Sequence, residues 1–210
     1  VGSEMCIRDS AKAARDVPQE FVGVEAHRGD MVWSAAVPEE LRSQATAVIG
    51  NFPVSQAAQY TRLEWLQTFS AGVDAYIRPG VLPRGTMVTN ASGAYGQSVS
   101  EHMFATMWAL MKNLNRYASN QRDHQWQDEG PVLSPEGGIA LIIGVGDIGS
   151  HFAQLAQSVG MRTFGVRRHA DVPAKGIEKM YGFERLETLL PLADVVAMAV
   201  PRSPQTHHLL

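Results

Sequence analysis

The run Leu141-Ile142-Ile143-Gly144-Val145-Gly146-Asp147-Ile148-Gly149-Ser150-His151-Phe152 constrains this chain more than any other stretch. In it an apolar strand pattern empties into G-x-G-x-x-G and passes directly into a helix pattern. Ile139 to Ile143 reads as a buried parallel strand. Phe152, Leu155, Ala156 and Val159 recur at helical spacing, Gly160 supplies the stop, and Arg162 to Val166 reads as a second strand. The whole is a βαβ unit. Gly144 permits the tight turn, Gly146 lets the backbone approach a pyrophosphate, and Gly149 lets the helix pack closely on its strand. The helix N-terminus then offers free N–H groups and a positive dipole end to phosphate oxygens. A turn that merely joins strand to helix could carry the same glycines; the strands on both sides favour a dinucleotide site, with Asp147 and Ile148 in its loop.

The end of the second strand bears on which dinucleotide. NAD-selective units carry an Asp or Glu about 20 residues beyond the glycines to accept hydrogen bonds from the adenine ribose. Here the strand ends in Arg167-Arg168-His169. Two guanidiniums favour a 2′-phosphate through charge-assisted forks, and no carboxylate stands there to repel it. NADP is therefore the expected cofactor and NAD the alternative; read blandly, both arginines are solvated charges at a strand end.

With 210 residues, 45% of them hydrophobic, the chain can bury a core in each of two domains. A net charge of −3 and the absence of any Lys/Arg block speak against nucleic acid or an anionic membrane as partner. Its longest apolar runs fall far short of the ~18 residues of a membrane helix. Residues 1–10 have none of the regions of a signal peptide and read as a non-native leader. The single cysteine, Cys6, lies in that leader, which fits a reducing cytoplasm.

Ahead of the glycine loop, Ala47-Val48-Ile49, Trp65 to Phe69 and Met87 to Asn90 read as short strands closed by turn residues, with a helix-compatible segment from Val73 until Pro79-Gly80. Ser98-Val99-Ser100-Glu101 matches a capping box. It opens an apolar-periodic helix to about Ala118, with Met103, Met107, Leu110, Met111 and Leu114 as packing residues. Further on, Leu186 to Leu190 reads as a short helix and Val195 to Val200 as a fully buried strand. Pro201 stops that strand, and Ser203-Pro204 reads as an N-cap with Pro at N1. Pro201 to Thr206 should lie beside the cofactor, because ligands sit at the carboxyl ends of such strands. The domains expected are residues 11–97 and 98–210.

Five pieces in order carry a resemblance: Phe69-Ser70-Ala71-Gly72-Val73-Asp74, Val88-Thr89-Asn90-Ala91-Ser92-Gly93, Ser98-Val99-Ser100-Glu101-His102, the glycine loop, and Leu192-Ala193-Asp194-Val195-Val196 leading to Val200-Pro201-Arg202-Ser203-Pro204-Gln205-Thr206. Over about residues 44–210 the chain resembles the D-isomer-specific 2-hydroxyacid dehydrogenase family, of the glyoxylate/hydroxypyruvate reductase type. The resemblance implies an α/β protein with a Rossmann domain and a smaller flavodoxin-like substrate domain, both incomplete here. It implies hydride exchange between NAD(P)H and a small 2-keto or 2-hydroxy acid, and a homodimer. It also gives Ser70, Ala71, Gly72 and Val73 the role of holding the substrate carboxylate through main-chain N–H groups, a task that small residues permit. The family's catalytic Arg, Glu and His belong to Asn-x-x-Arg-Gly and Pro-His stretches that these 210 residues lack, so they are expected beyond Leu210 and no catalytic residue or metal ligand is assigned. A cofactor-sensing, non-catalytic protein of the corepressor type remains the alternative reading.

Overall fold

The computed structural model describes Val37 and residues 39–210; the leader and Cys6 lie outside the described residues. The chain divides into two compact units that meet between Ala94 and Tyr95.

In the first unit a short helix α1 (Glu39–Arg42) precedes strands β1 (Ala47–Ile49), β2 (Trp65–Gln67) and β3 (Met87–Thr89), all parallel in the order β1-β2-β3. Period-2 alternation decides what is buried: Val48 and Leu66 point into the core, whereas Ile49, Trp65 and Met87 are exposed. Phe52 organises that core. It stacks on Tyr60 at 4.3 Å and meets Tyr76 edge-on at 5.3 Å. The Tyr76 hydroxyl donates to the Phe52 carbonyl at 2.6 Å and accepts from the Phe52 N–H at 3.1 Å. The segment from Val73 makes a single turn, with the Tyr76 and Ile77 N–H groups both reaching the Val73 carbonyl, rather than the helix its composition allows. Strand β2 stops at Gln67 because the Phe69 N–H is taken by Asn51 Oδ1 at 3.1 Å.

The second unit contains helices α2 (Gly96–Met111) and α3 (Leu114–Arg122), strand β4 (Ile139–Ile143), helix α4 (Asp147–Ser158), strands β5 (Arg162–Val166) and β6 (Lys179–Tyr181), helix α5 (Leu186–Leu189) and strand β7 (Val195–Met198). Its four strands are parallel, in the order β6-β5-β4-β7. Strand β4 is apolar throughout because both of its faces are covered. Ala140 and Ile142 pack with Met107, Met111, Phe152, Ala153 and Ala156 of α2 and α4, and Leu141 and Ile143 pack with Leu186 and Leu189 of α5. After β6 the chain returns to the far side of β4, which makes the carboxyl end of β4 the switch point of this Rossmann sheet.

Four local expectations are corrected. Helix α2 begins at Gly96 with Tyr95 at the N-cap, so Ser98 lies inside the helix and Glu101 accepts from Gln97 Nε2 at 2.9 Å instead of closing a capping box. The helix also ends at Met111 rather than near Ala118. Asn113 turns left-handed (φ 54°), and its amide reaches the carbonyls of Glu129 and Pro131. Strand β7 is not fully buried: among the described residues it pairs only with β4, and Val196 and Met198 are exposed. Ser203-Pro204 opens a turn, not a helix, and the Ser203 N–H donates to Thr206 Oγ1 at 2.8 Å within it.

Candidate functional site

In the second unit the glycine loop leaves β4 at the switch point. Gly144 adopts φ 91°, and a Cβ there would lie 2.4 Å from the Ala199 carbonyl oxygen, so the segment after β7 closes one side of the turn. A Cβ at Gly149 would lie 2.2 Å from the Gly144 carbonyl oxygen, which is how closely α4 seats on the loop. Gly146 differs: nothing lies within 4 Å of where its Cβ would be. The N–H groups of Asp147, Ile148 and Gly149 at the head of α4 donate to no acceptor among the described residues, and the first bond of the helix is Ser150 N–H to the Gly146 carbonyl at 2.9 Å. Open backbone at Gly146, free donors and a twelve-residue helix behind them are the features with which helix N-termini receive phosphate oxygens. Asp147, on the first turn, pairs with His151 Nδ1 at 3.4 Å, and that nitrogen also lies 2.8 Å from the Asp147 carbonyl oxygen.

The other residues expected at this site are placed as follows. Arg167 follows β5; its side chain reaches back to the Val145 carbonyl at 3.3 Å and so touches the glycine loop itself. Arg168 is exposed. Beyond β7, Thr206 Oγ1 donates to the Pro201 carbonyl at 2.6 Å and accepts from Ser203 N–H, so its hydroxyl holds its own turn together.

In the first unit the Ser70 to Val73 loop is built from carbonyls that are spoken for. Thr68 Oγ1, buried, donates to the Ser70 carbonyl at 2.8 Å; Asn90 Nδ2 donates to the Ala71 carbonyl at 2.7 Å; Ser70 Oγ donates to the Gly72 carbonyl at 2.9 Å. Asn51 Nδ2 lies 3.3 Å from Ser70 Oγ. The main-chain N–H groups of Ser70, Ala71, Gly72 and Val73 donate to no acceptor among the described residues, and Ala71 and Gly72 are exposed. Such a loop presents donors outward, as an anion nest does. Sequence reasoning missed the supporting roles of Asn51, Thr68 and Asn90. The available signal was an Asn within two residues of the end of each of two strands, where its side chain can bond a neighbouring backbone.

A doubly wound parallel sheet with this glycine loop at its switch point defines a Rossmann-type dinucleotide-binding unit. Residues 104–210 match the family described as D-isomer specific 2-hydroxyacid dehydrogenase, NAD binding domain. The chain belongs to that family. A glycerate dehydrogenase of Methylorubrum extorquens is 25% identical over 183 residues, covering 83% of this chain and 55% of the relative. A glyoxylate/hydroxypyruvate reductase B of Erwinia tasmaniensis is also 25% identical over 183 residues, covering 82% and 56%. Among solved structures, a D-isomer specific 2-hydroxyacid dehydrogenase family protein from Aeromonas salmonicida aligns with a TM-score of 0.73 at 30% identity, covering 81% of this chain and 55% of that one. The chain spans about half the length of the curated relatives it matches.

Proposed function

We propose that this chain is part of an oxidoreductase that reduces a small 2-keto acid, of the glyoxylate or hydroxypyruvate kind, with NADPH in preference to NADH. The observation that carries the reading is the open cradle at Gly146, with the free N–H groups of Asp147, Ile148 and Gly149 behind it. Gly144 and Gly149 hold the turn and the helix in place, and Pro201 and Thr206 border the site beyond β7. When bound there, the nicotinamide cofactor supplies hydride. The N–H groups of Ser70 to Val73 bind the substrate carboxylate, and Asn51, Thr68 and Asn90 hold their loop. The relatives named above, a glycerate dehydrogenase and a glyoxylate/hydroxypyruvate reductase, support a 2-hydroxy or 2-keto acid as substrate class.

No residue of the 210 is assigned the acid/base role, and the activity is proposed for a protein that supplies the family's Arg, Glu and His in addition to this half. Residues 11–97 then serve as the substrate domain and 98–210 as the cofactor domain. No helix among the described residues is long and apolar enough to cross a membrane, and a cytoplasmic homodimer is part of the same proposal. Leu110 and Leu114 are exposed near the break between α2 and α3, and Leu133, also exposed, is tied to the Met111 carbonyl at 2.9 Å; together they offer apolar surface to a second copy. The test is fluorescence titration of NADPH and NADH into the protein, followed by cofactor oxidation with glyoxylate and hydroxypyruvate in the protein carrying the family's acid/base residues. Saturable binding with NADPH the tighter ligand, and turnover of either acid, is expected. Failure to bind either cofactor would overturn the reading.

A further inference from the structure

We propose that the two arginines after β5 divide the adenosine end of the site between them: Arg167 is a positioning residue that fixes the glycine loop, and Arg168 alone pairs with the 2′-phosphate. The inference rests on the dinucleotide reading above and sharpens it.

Arg167 is committed to backbone. Its own N–H donates to the Tyr181 carbonyl at 3.1 Å, which anchors it to β6. Each guanidinium nitrogen then donates to a main-chain carbonyl: Nε to His169 at 2.9 Å, Nη1 to Val145 at 3.3 Å, and Nη2 to Val172. One planar group thus ties the 169–172 loop to the middle of G-x-G. Val145 is held from its other side as well. A Cβ at Gly165 would lie 2.8 Å from Val145 Cγ2, so the valine side chain occupies the space over that glycine of β5. With Val145 fixed at both its carbonyl and its side chain, the adjacent Gly146 backbone is fixed where a pyrophosphate must approach. Turning Arg167 toward a phosphate would break all three bonds together, the part-buried one to Val145 among them, and release the middle of the glycine loop.

Arg168 has the opposite environment. It is exposed, at the same strand end, and its guanidinium makes no hydrogen bond or ion pair among the described residues. Its five donors and full charge are available for bidentate recognition of a phosphate, which lysine does not reproduce.

The experiment measures NADPH and NADH dissociation constants for the unsubstituted chain and for Arg168→Ala, Arg167→Ala and Arg167→Lys. Arg168→Ala should weaken NADPH about 10- to 100-fold, as loss of a charge-assisted pair does, and leave NADH within about twofold. Arg167→Ala should weaken both cofactors by the same factor and leave their ratio unchanged. Arg167→Lys, which cannot span three carbonyls, should recover part of both affinities in equal measure, and it carries the comparison if the alanine variant does not fold. Loss of the NADPH preference in an Arg167 variant, or its survival in Arg168→Ala, overturns the division of roles. An unsubstituted chain that binds neither cofactor overturns the dinucleotide reading, and this inference falls with it.

Discussion

Gly146→Ala and Gly149→Ala make a matched pair, because the same added methyl group meets open space at one position and backbone at the other. At Gly149 the Cβ would sit 2.2 Å from the Gly144 carbonyl oxygen and 3.1 Å from Ile142 Cγ2, well inside van der Waals contact. A carbonyl at the root of a φ 91° turn cannot swing aside, so α4 must lift off β4 and loosen Phe152, Ala153 and Ala156, all buried. Overpacking of this kind costs about 1–3 kcal/mol, and the rigid partner puts this case near 3. For a chain of this size that lowers the melting temperature by about 6–12 °C. At Gly146, with φ −101° and nothing within 4 Å, the methyl is tolerated and stability should stay within about 1 kcal/mol of the parent. The cost falls instead on binding. The methyl occupies the approach to the free N–H groups, and losing one bond to a charged oxygen weakens a dinucleotide by about 1.5–3 kcal/mol, 10-fold or more. Thermal melts and cofactor titration on the two variants separate these effects. A Gly146→Ala protein that binds NADPH like its parent, or a Gly149→Ala protein that melts like it, would refute the geometry assigned to the loop.

Tyr76→Phe should destabilise the first unit by about 1–3 kcal/mol, because both the N–H and the carbonyl of Phe52 lose their partner in a buried place; urea unfolding followed through that unit's tyrosines reads it. Asp194→Ala should cost the second unit about 1–2 kcal/mol, since Asp194 Oδ2 accepts the Ile139 N–H at 2.7 Å at the start of β4, and Asp194→Asn should recover part of it, both read by urea unfolding followed through far-UV circular dichroism. Burial raises the phenol pKa of both Tyr60 and Tyr76 above the unfolded value. The protonated phenols therefore contribute stability that is fully present below about pH 10 and is lost as pH rises through the higher folded values. Melting temperature against pH should fall on that alkaline limb, and Tyr76→Phe should flatten it. Arg162 holds the Glu178 carboxyl below its usual range, chiefly through a hydrogen bond at 2.7 Å, so Glu178→Gln should remove a small part of the acid limb below about pH 4.

What the sequence made legible follows from how locally each feature is encoded. Strand β4 could be bounded to the residue because a strand covered on both faces is apolar along its whole length, and the glycines and Gly160 mark the ends of α4 and so the approach to β5. Helix α2 was misread at both ends for tertiary reasons. Its first residue, Gly96, lies directly against the Asp147 carboxylate, which stands where a Cβ would be, and no local pattern records that contact. Its stop depends on the 129–133 segment folding back onto Asn113 and onto Lys112, whose Nζ reaches the Leu133 carbonyl at 2.7 Å. At the candidate site, the charge of Arg167 and Arg168 was readable and their different surroundings were not. The carbonyls that occupy Arg167 belong to residues on both sides of it in the chain.

The strand order β6-β5-β4-β7 also sets a timetable for assembly. Strand β4 meets β5 through a short helical crossover, but it meets β7 only after the rest of the unit has been made: the Ile139–Asp194 bond spans 55 residues. Parallel pairings at such separation form late, because loop-closure entropy must be met before the contact returns anything. During synthesis at about 5–20 residues per second, β4, the most apolar strand of the unit, therefore waits on the order of 3–10 s with one edge open. That interval is when a nascent chain most needs a chaperone, and the Asp194 carboxylate bonded to the first amide of β4 is among the contacts that end it.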